Sequence, residues 1–280
     1  MNFQNPPLAP LREKNLFVFD MDGTLYLGDH VFPEAVRLIL HLRRAGKRIL
    51  FFTNNASHNR EVYLERLTRM GFAPKQNEIM SAGDVTVSFL QKYRAGKRVY
   101  LLGTPELKKS FRSAGIPLLS ARDTHADIVV SSLDSTLTYQ KVCRACSLIA
   151  DGAEYFATHA DLVCPVEHGF VPDSGAISAM ICAATGARPE YFGKPSARTV
   201  QMICESKECT PEEMCFFGDR LYTDIAVGRR SGITSVLVLT GEAHEKDLAR
   251  APADETPDYV FPTLDALDRA WFSSSDQDGI

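Results

Sequence analysis

Apolar runs long enough to be buried on both faces recur along this chain, each followed by an amphipathic stretch. LFVF (16–19), RILFFT (48–53), RVYLLG (98–103), DIVVSSL (127–133), EYFATH (154–159), MCFFGD (214–219) and SVLVLTG (235–241) read as strands, with YFGKP (191–195) ending a shorter one. Near-continuous apolar strands belong to parallel sheets covered by helices, because a strand with one wet face alternates instead. Between them, 34–46, 60–71, 84–96, 105–115, 139–151 and 175–186 read as helices, several closed by glycine. Thr104-Pro105 supplies an N-cap and a proline for the first helical position, and Thr210-Pro211-Glu212-Glu213 repeats that pattern with a capping box. This alternation predicts an α/β fold with a mostly parallel sheet. Residues 1–14, with Pro6, Pro7 and Pro10, read as a flexible N-terminal tail.

Composition removes some classes of partner. A net charge of −4 implies no basic face, so no nucleic acid polymer is expected. No apolar stretch approaches the ~20 residues of a membrane-spanning helix, so no membrane is expected either. The N-terminus lacks a charged-then-apolar leader pattern, which makes the cytoplasmic compartment the expectation. Cys143 and Cys146 form a C-x-x-C inside a helical pattern with no second pair to complete a zinc site, and read as core residues.

The chemistry gathers where strands end. FVFDMDGTLYLGD (17–29) places Asp20 and Asp22 one residue apart, after an apolar run and before a Gly-Thr turn. Three further motifs follow apolar runs: Thr53-Asn54-Asn55, Gly193-Lys194-Pro195, and Gly218-Asp219-Arg220 with Thr223-Asp224. In open α/β sheets ligands bind beyond the carboxyl ends of the strands, so four parallel neighbours would bring these residues together. Four of these residues are carboxylates, with the Thr53 hydroxyl and the Lys194 amine among their companions. Such a cluster needs a cation or protonated carboxylates, and a hard dication with oxygen ligands, Mg²⁺ for phosphate chemistry, fits it.

Roles follow from residue chemistry. Asp20 is the natural nucleophile toward phosphorus. Asp22 is placed to protonate a leaving oxygen and then deprotonate water. Gly23 permits the turn and a close backbone approach. Thr53, Asn54, Asn55 and nearby backbone N–H groups can hold phosphoryl oxygens. Lys194 supplies a point positive charge, Asp219 binds the metal, and Asp224 supports it from the edge. Singly, each motif has an ordinary explanation: a turn, a helix cap, loop punctuation. All four in order, each after an apolar run, favour chemistry.

These residues resemble the four signatures of the haloacid dehalogenase (HAD) superfamily, and D-x-D-G-T resembles its phosphatase branch. Residues 20–28, Thr53-Asn54-Asn55, SLDSTLTYQK (132–141), 156–177, FGKP (192–195), GDRLYTDI (218–225) and VLVLTGE (236–242) resemble the NagD-like, 4-nitrophenylphosphatase-like subfamily. The resemblance implies a Rossmann-like doubly wound core over 15–83 and 188–280, with a large α/β cap of the C2 type inserted over 84–187. It also implies Mg²⁺-dependent hydrolysis of a small-molecule phosphomonoester. The metal would be held by Asp20, the backbone carbonyl of Asp22, and Asp219. A homodimer through the cap is compatible with the resemblance. Members of the subfamily often read T-N-x-D where this chain has Thr158-His159-Ala160-Asp161. His159, Asp161, Asp134 and His168 are therefore the cap candidates for substrate selection.

Three other activities fit parts of the pattern. A phospho-aspartate signalling module carries Asp, Thr and Lys on a doubly wound sheet, but lacks an acid two residues after its nucleophile. Dehalogenase chemistry on the same fold needs neither Asp22 nor Mg²⁺. A phosphomutase needs a cap that keeps water out, and this cap pattern does not resemble that type.

Overall fold

The computed structural model describes residues 5–166 and 169–272. They form two compact units. One comprises residues up to Thr53, Leu64–Ile79 and the chain from Lys207 onward; the other comprises Asn54–Tyr63 and Met80–Ser206.

The first unit is built on a parallel sheet. Its strands lie in the order Tyr259–Phe261, Thr234–Val238, Met214–Gly218, Leu16–Asp20, Arg48–Thr53. Leu16 pairs with Met214 on one side and Arg48 on the other, so Asp20, Gly218 and Phe52 stand at nearly the same height. Chain order reverses between Leu16–Asp20 and Met214–Gly218. That is the switch point of a doubly wound sheet, where a crevice opens beyond the strand ends. Both central strands are buried throughout, as their unbroken apolar runs require. Phe217 stacks on Phe19 at 4.5 Å and on Phe17 at 5.9 Å, and Trp271 meets Phe17 edge-on at 5.6 Å. Helix Pro33–Arg44 starts with proline at its first turn and packs against Leu264–Phe272. There the buried Asp268 accepts hydrogen bonds from Arg37 and pairs with His41, both at 2.8 Å.

The second unit carries a separate four-stranded parallel sheet in the order Glu190–Tyr191, Glu154–Ala157, Ile128–Ser131, Val99–Leu102. Thr104 caps helix Pro105–Ser113 by accepting from Leu107 N at 3.1 Å, as the sequence predicts. Phe89, Phe156 and Phe192 form an aromatic cluster with centroids 4.8–5.7 Å apart. A hairpin of Val163–Val166 and Gly169–Pro172 pairs outside that sheet.

Several expectations are corrected. The strand before Lys194 is Glu190–Tyr191, which pairs with Glu154–Ala157 rather than joining the sheet of Asp20. The four motifs therefore do not follow four neighbouring strands. Residues 5–14 are tied down, not loose. Asn5 exchanges two hydrogen bonds with Val260 (2.7 and 2.8 Å), Leu11 is fully buried, and Ala9–Arg12 is helical. Thr210 caps only a three-residue 3₁₀ turn, because the strand begins at Met214. Cys143 is exposed and Cys146 half-buried on helix Tyr139–Ala150, so the pair is not core. No helix among the described residues is long and apolar enough to cross a membrane.

Phe217 packs against rings on the central strand, so Phe217→Ala removes a buried aromatic that its neighbours cannot replace. We expect a loss of about 3–5 kcal/mol, read as a lower urea midpoint at unchanged slope.

Candidate active site

Asp20 is the last residue of its buried strand, and the chain turns immediately after it. Leu25 N donates to Met21 O at 2.9 Å and Gly23 N to Tyr26 O at 2.7 Å. Gly23 holds φ +85°, a left-handed value that favours glycine. A β-carbon there would also overlap the Asp219 carboxylate. The turn leaves Asp20 buried and Asp22 exposed.

Asp219 follows the neighbouring strand and is nearly enclosed. Its Oδ2 accepts from Glu242 N at 2.7 Å, and Thr24 Oγ1 donates to its Oδ1 at 3.4 Å. Gly241 lies against the same carboxylate so closely that any side chain would collide with it. Thr240 Oγ1 donates to Gly23 O at 2.7 Å, joining the two loops. A π-helical turn, Leu221–Ile225, then brings Asp224 back, fully buried, against Gly218, another position with no room for a β-carbon. Asp224 Oδ2 accepts from Arg220 N at 3.0 Å.

Asp20, Asp219 and Asp224 each present one oxygen within 4.8 Å of the others. At such a separation two unit charges repel by about 3 kcal/mol at an effective dielectric of about 20. Burial works against the charge of Arg220, but Asp224, Asp20 and Asp219 outweigh it and raise its pKa. Burial lifts the Asp22 carboxyl above the usual carboxylate range although its surface reaches solvent, with Arg66, the Gly28 N–H and Arg220 opposing. Three hard oxygen donors converging in this way fit a divalent cation.

In the second unit Lys194 is buried. Asn54 brackets its backbone: Lys194 N donates to Asn54 Oδ1 at 2.8 Å, and Asn54 Nδ2 donates to Lys194 O at 3.0 Å. Asp161 Oδ2 accepts from the same Nδ2 at 3.1 Å. Asn55 Oδ1 accepts from Ser57 N at 2.9 Å and Ser57 Oγ at 2.6 Å.

Sequence comparisons agree with this geometry. Residues 17–117 match the family model of haloacid dehalogenase-like hydrolases, and 191–267 match a second, HAD-hydrolase-like model. An acid sugar phosphatase of Staphylococcus aureus is 30% identical over 254 residues, covering 91% of this chain and 96% of the relative. A 4-nitrophenylphosphatase of Schizosaccharomyces pombe is 30% identical, covering 90% and 93%. The chain belongs to the haloacid dehalogenase superfamily. Within it, the chain falls in the NagD-like, 4-nitrophenylphosphatase-like group. The 4-nitrophenylphosphatase of Thermotoga maritima superposes with a TM-score of 0.87 at 40% identity, covering 93% of this chain and 98% of that one. A glycerol phosphate phosphatase of Mycobacterium tuberculosis, crystallised with magnesium, superposes at 0.82 with 28% identity, covering 91% and 76%.

The sequence-derived residues of this HAD protein fall into separate sets. Asp20, Asp219 and Asp224 converge, and Asp22 lies in the turn after Asp20. Thr53 ends its strand in the first unit. Asn54, Asn55 and Lys194 belong to the second, with Asn54 and Lys194 bonded to each other. Two cap candidates are withdrawn from any surface. His159 has no exposed area, and its ring nitrogens pair with Thr158 Oγ1 at 3.0 Å and Asp173 Oδ1 at 2.9 Å. Asp134 accepts from Thr136 and from Lys141 Nζ at 2.9 Å with its side chain fully covered. Asp161 is half-buried, and His168 lies outside the described residues. Thr24, Arg220, Thr240 and Gly241 stand inside quoted sequence motifs but have no role assigned there, and the structure places them around the carboxylate cluster.

A divalent cation at this cluster stabilises the fold by mass action, about 2.7 kcal/mol at a hundred times its dissociation constant. We expect the thermal midpoint to climb with Mg²⁺ in the native chain. In Gly241→Ala, where the new methyl displaces Asp219, the climb is lost.

Proposed function

We propose that this chain is a magnesium-dependent phosphatase of small phosphomonoesters that works through an aspartyl-phosphate on Asp20. The observation carrying this reading is the convergence of Asp20, Asp219 and Asp224 at the switch point of the sheet, with a fourth acid, Asp22, in the adjoining turn. Relatives named acid sugar phosphatase, 4-nitrophenylphosphatase and glycerol phosphate phosphatase support small substrates. The magnesium and calcium complexes of the glycerol phosphate phosphatase support a hard dication.

Asp20, Asp219 and the Asp22 backbone carbonyl would hold the ion, with Asp224 steadying the arrangement. Bound there, the dication supplies positive charge that screens the carboxylates and the phosphoryl oxygens. Asp20, freed of repulsion, attacks phosphorus, and the bond to the leaving oxygen breaks as Asp22 donates its proton there. Asp22, now ionised, takes a proton from water as that water attacks the phosphoryl group; phosphate departs and Asp20 is regenerated. Thr53 Oγ1 and the backbone N–H groups of 54 and 55 hold phosphoryl oxygens, while Lys194 adds a fixed positive charge. We assign 84–187 as the cap that selects the leaving group. Unbridged Cys143, Cys146, Cys182 and Cys215 suit a reducing, cytoplasmic setting.

Assayed with 4-nitrophenyl phosphate, Asp20→Asn should fold normally and turn over no substrate. Asp22→Asn should lose ~10²–10⁴-fold in kcat, the usual share of a general acid–base. Near-native kcat in either variant would remove the assignment. A chelator should abolish hydrolysis and Mg²⁺ restore it; indifference to the chelator would favour halide displacement over phosphate chemistry.

A further inference from the structure

In the second unit the group around Lys194 contains side chains that the reaction does not use. The Asn54 amide makes three hydrogen bonds that together fix its orientation. Oδ1 receives Lys194 N–H at 2.8 Å, while Nδ2 gives one proton to Lys194 O at 3.0 Å and the other to Asp161 Oδ2 at 3.1 Å. An ionised carboxylate only accepts. Asp161 thus dictates which end of the amide is the donor, and a flipped Asn54 would face two acceptors with its oxygen. The backbone before Lys194 is held equally tightly. Gly193 N donates to Thr158 O at 2.6 Å. A β-carbon on Gly193 would come within 2.6 Å of His159 Cβ, 2.7 Å of Asn54 Oδ1 and 2.9 Å of Thr158 O. His159 is fixed in turn by Asp173 at 2.9 Å, and Asp173 also accepts from Ser174 N at the start of helix Ser174–Thr185.

We propose that Asn54 and Asp161 are positioning residues for Lys194, with Asp161 setting the Asn54 amide and Asn54 holding the Lys194 backbone on both sides. This rests on Lys194 serving the phosphatase reaction. Neither side chain is then a contact to substrate: that of Asn54 is engaged with protein, and Asp161 acts through it. The device suits a lysine. A flexible four-carbon stem delivers charge to a defined point only if its root is immobile, and a misplacement of about 1 Å can cost about 10²-fold in rate.

Two measurements test this. The first is a kinetic cycle with 4-nitrophenyl phosphate. Asp161→Ala should lower kcat by about tenfold and Asn54→Ala by up to about 10²-fold, with KM moving little. In Asn54→Ala/Asp161→Ala the loss should be no larger than in Asn54→Ala alone, since residues acting in series are non-additive. Asp161→Asn, which still presents an oxygen to Asn54, should recover most of what Asp161→Ala loses. Losses that multiply in the double variant, or a loss confined to KM, would overturn the proposal in favour of direct substrate contact.

The second measurement reads no activity. Hydrogen exchange at the Lys194 amide should quicken at least tenfold in Asp161→Ala, with exchange in strand Ile128–Ser131 unchanged. An unchanged Lys194 amide would overturn the proposal even if the native chain hydrolyses phosphate esters. Quickened exchange in a chain without phosphatase activity would sustain the clamp and remove only the function assigned to Lys194.

Discussion

Three carboxylates that repel one another are held within reach of a single ion, and the first unit is organised around sustaining that conflict. Asp20 ends one parallel strand and Asp219 follows its neighbour, in a register set several residues earlier at Leu16 and Met214. The backbone positions of both acids are therefore fixed by strands buried on both faces. Asp224 is returned by a π-helical turn, a geometry commonly found at functional sites. The aromatic stack of Phe17, Phe19 and Phe217 beneath supplies the burial that makes this strain tolerable.

Space is controlled as strictly as charge. Gly23 and Gly241 stand in two loops and Gly218 at the end of a strand, and each leaves room for a carboxylate where a β-carbon would intrude. An ion that binds oxygen at short range needs its ligands free to approach, and the missing methyl groups let them. Arg220 adds a standing positive charge close to the same acids, so the cluster is partly compensated before any cation arrives. The field at Asp20 is thus assembled during folding, which is the condition under which fixed charges are most effective.

How much of this was legible in the sequence depends on whether the signal was local. Asp20 and Asp219 were readable because each directly follows a continuous apolar run, and such runs specify buried parallel strands whatever their partners. Lys194 was misplaced for the opposite reason. It follows two strand residues, Glu190 and Tyr191, and nothing in so short a segment says which sheet will accept them. Thr240 and Gly241 stood inside a quoted motif without a role, because what they do lies in contacts far along the chain, to Gly23 and to Asp219. His159 drew attention because it stands where the subfamily often has Asn, and the structure buries it against Asp173.

Asn54 sharpens that lesson. Its place in Thr53-Asn54-Asn55 suggested a phosphate ligand, and an amide is chemically suited to that task. The structure gives both ends of the amide protein partners, two of them the backbone of one lysine. A motif side chain can thus serve a site through what it holds in place, the role we propose for Asn54. The distinction lies in hydrogen-bond arithmetic: an amide has two donor hydrogens, and with both committed inside the protein the Asn54 side chain has none left to offer a phosphoryl oxygen.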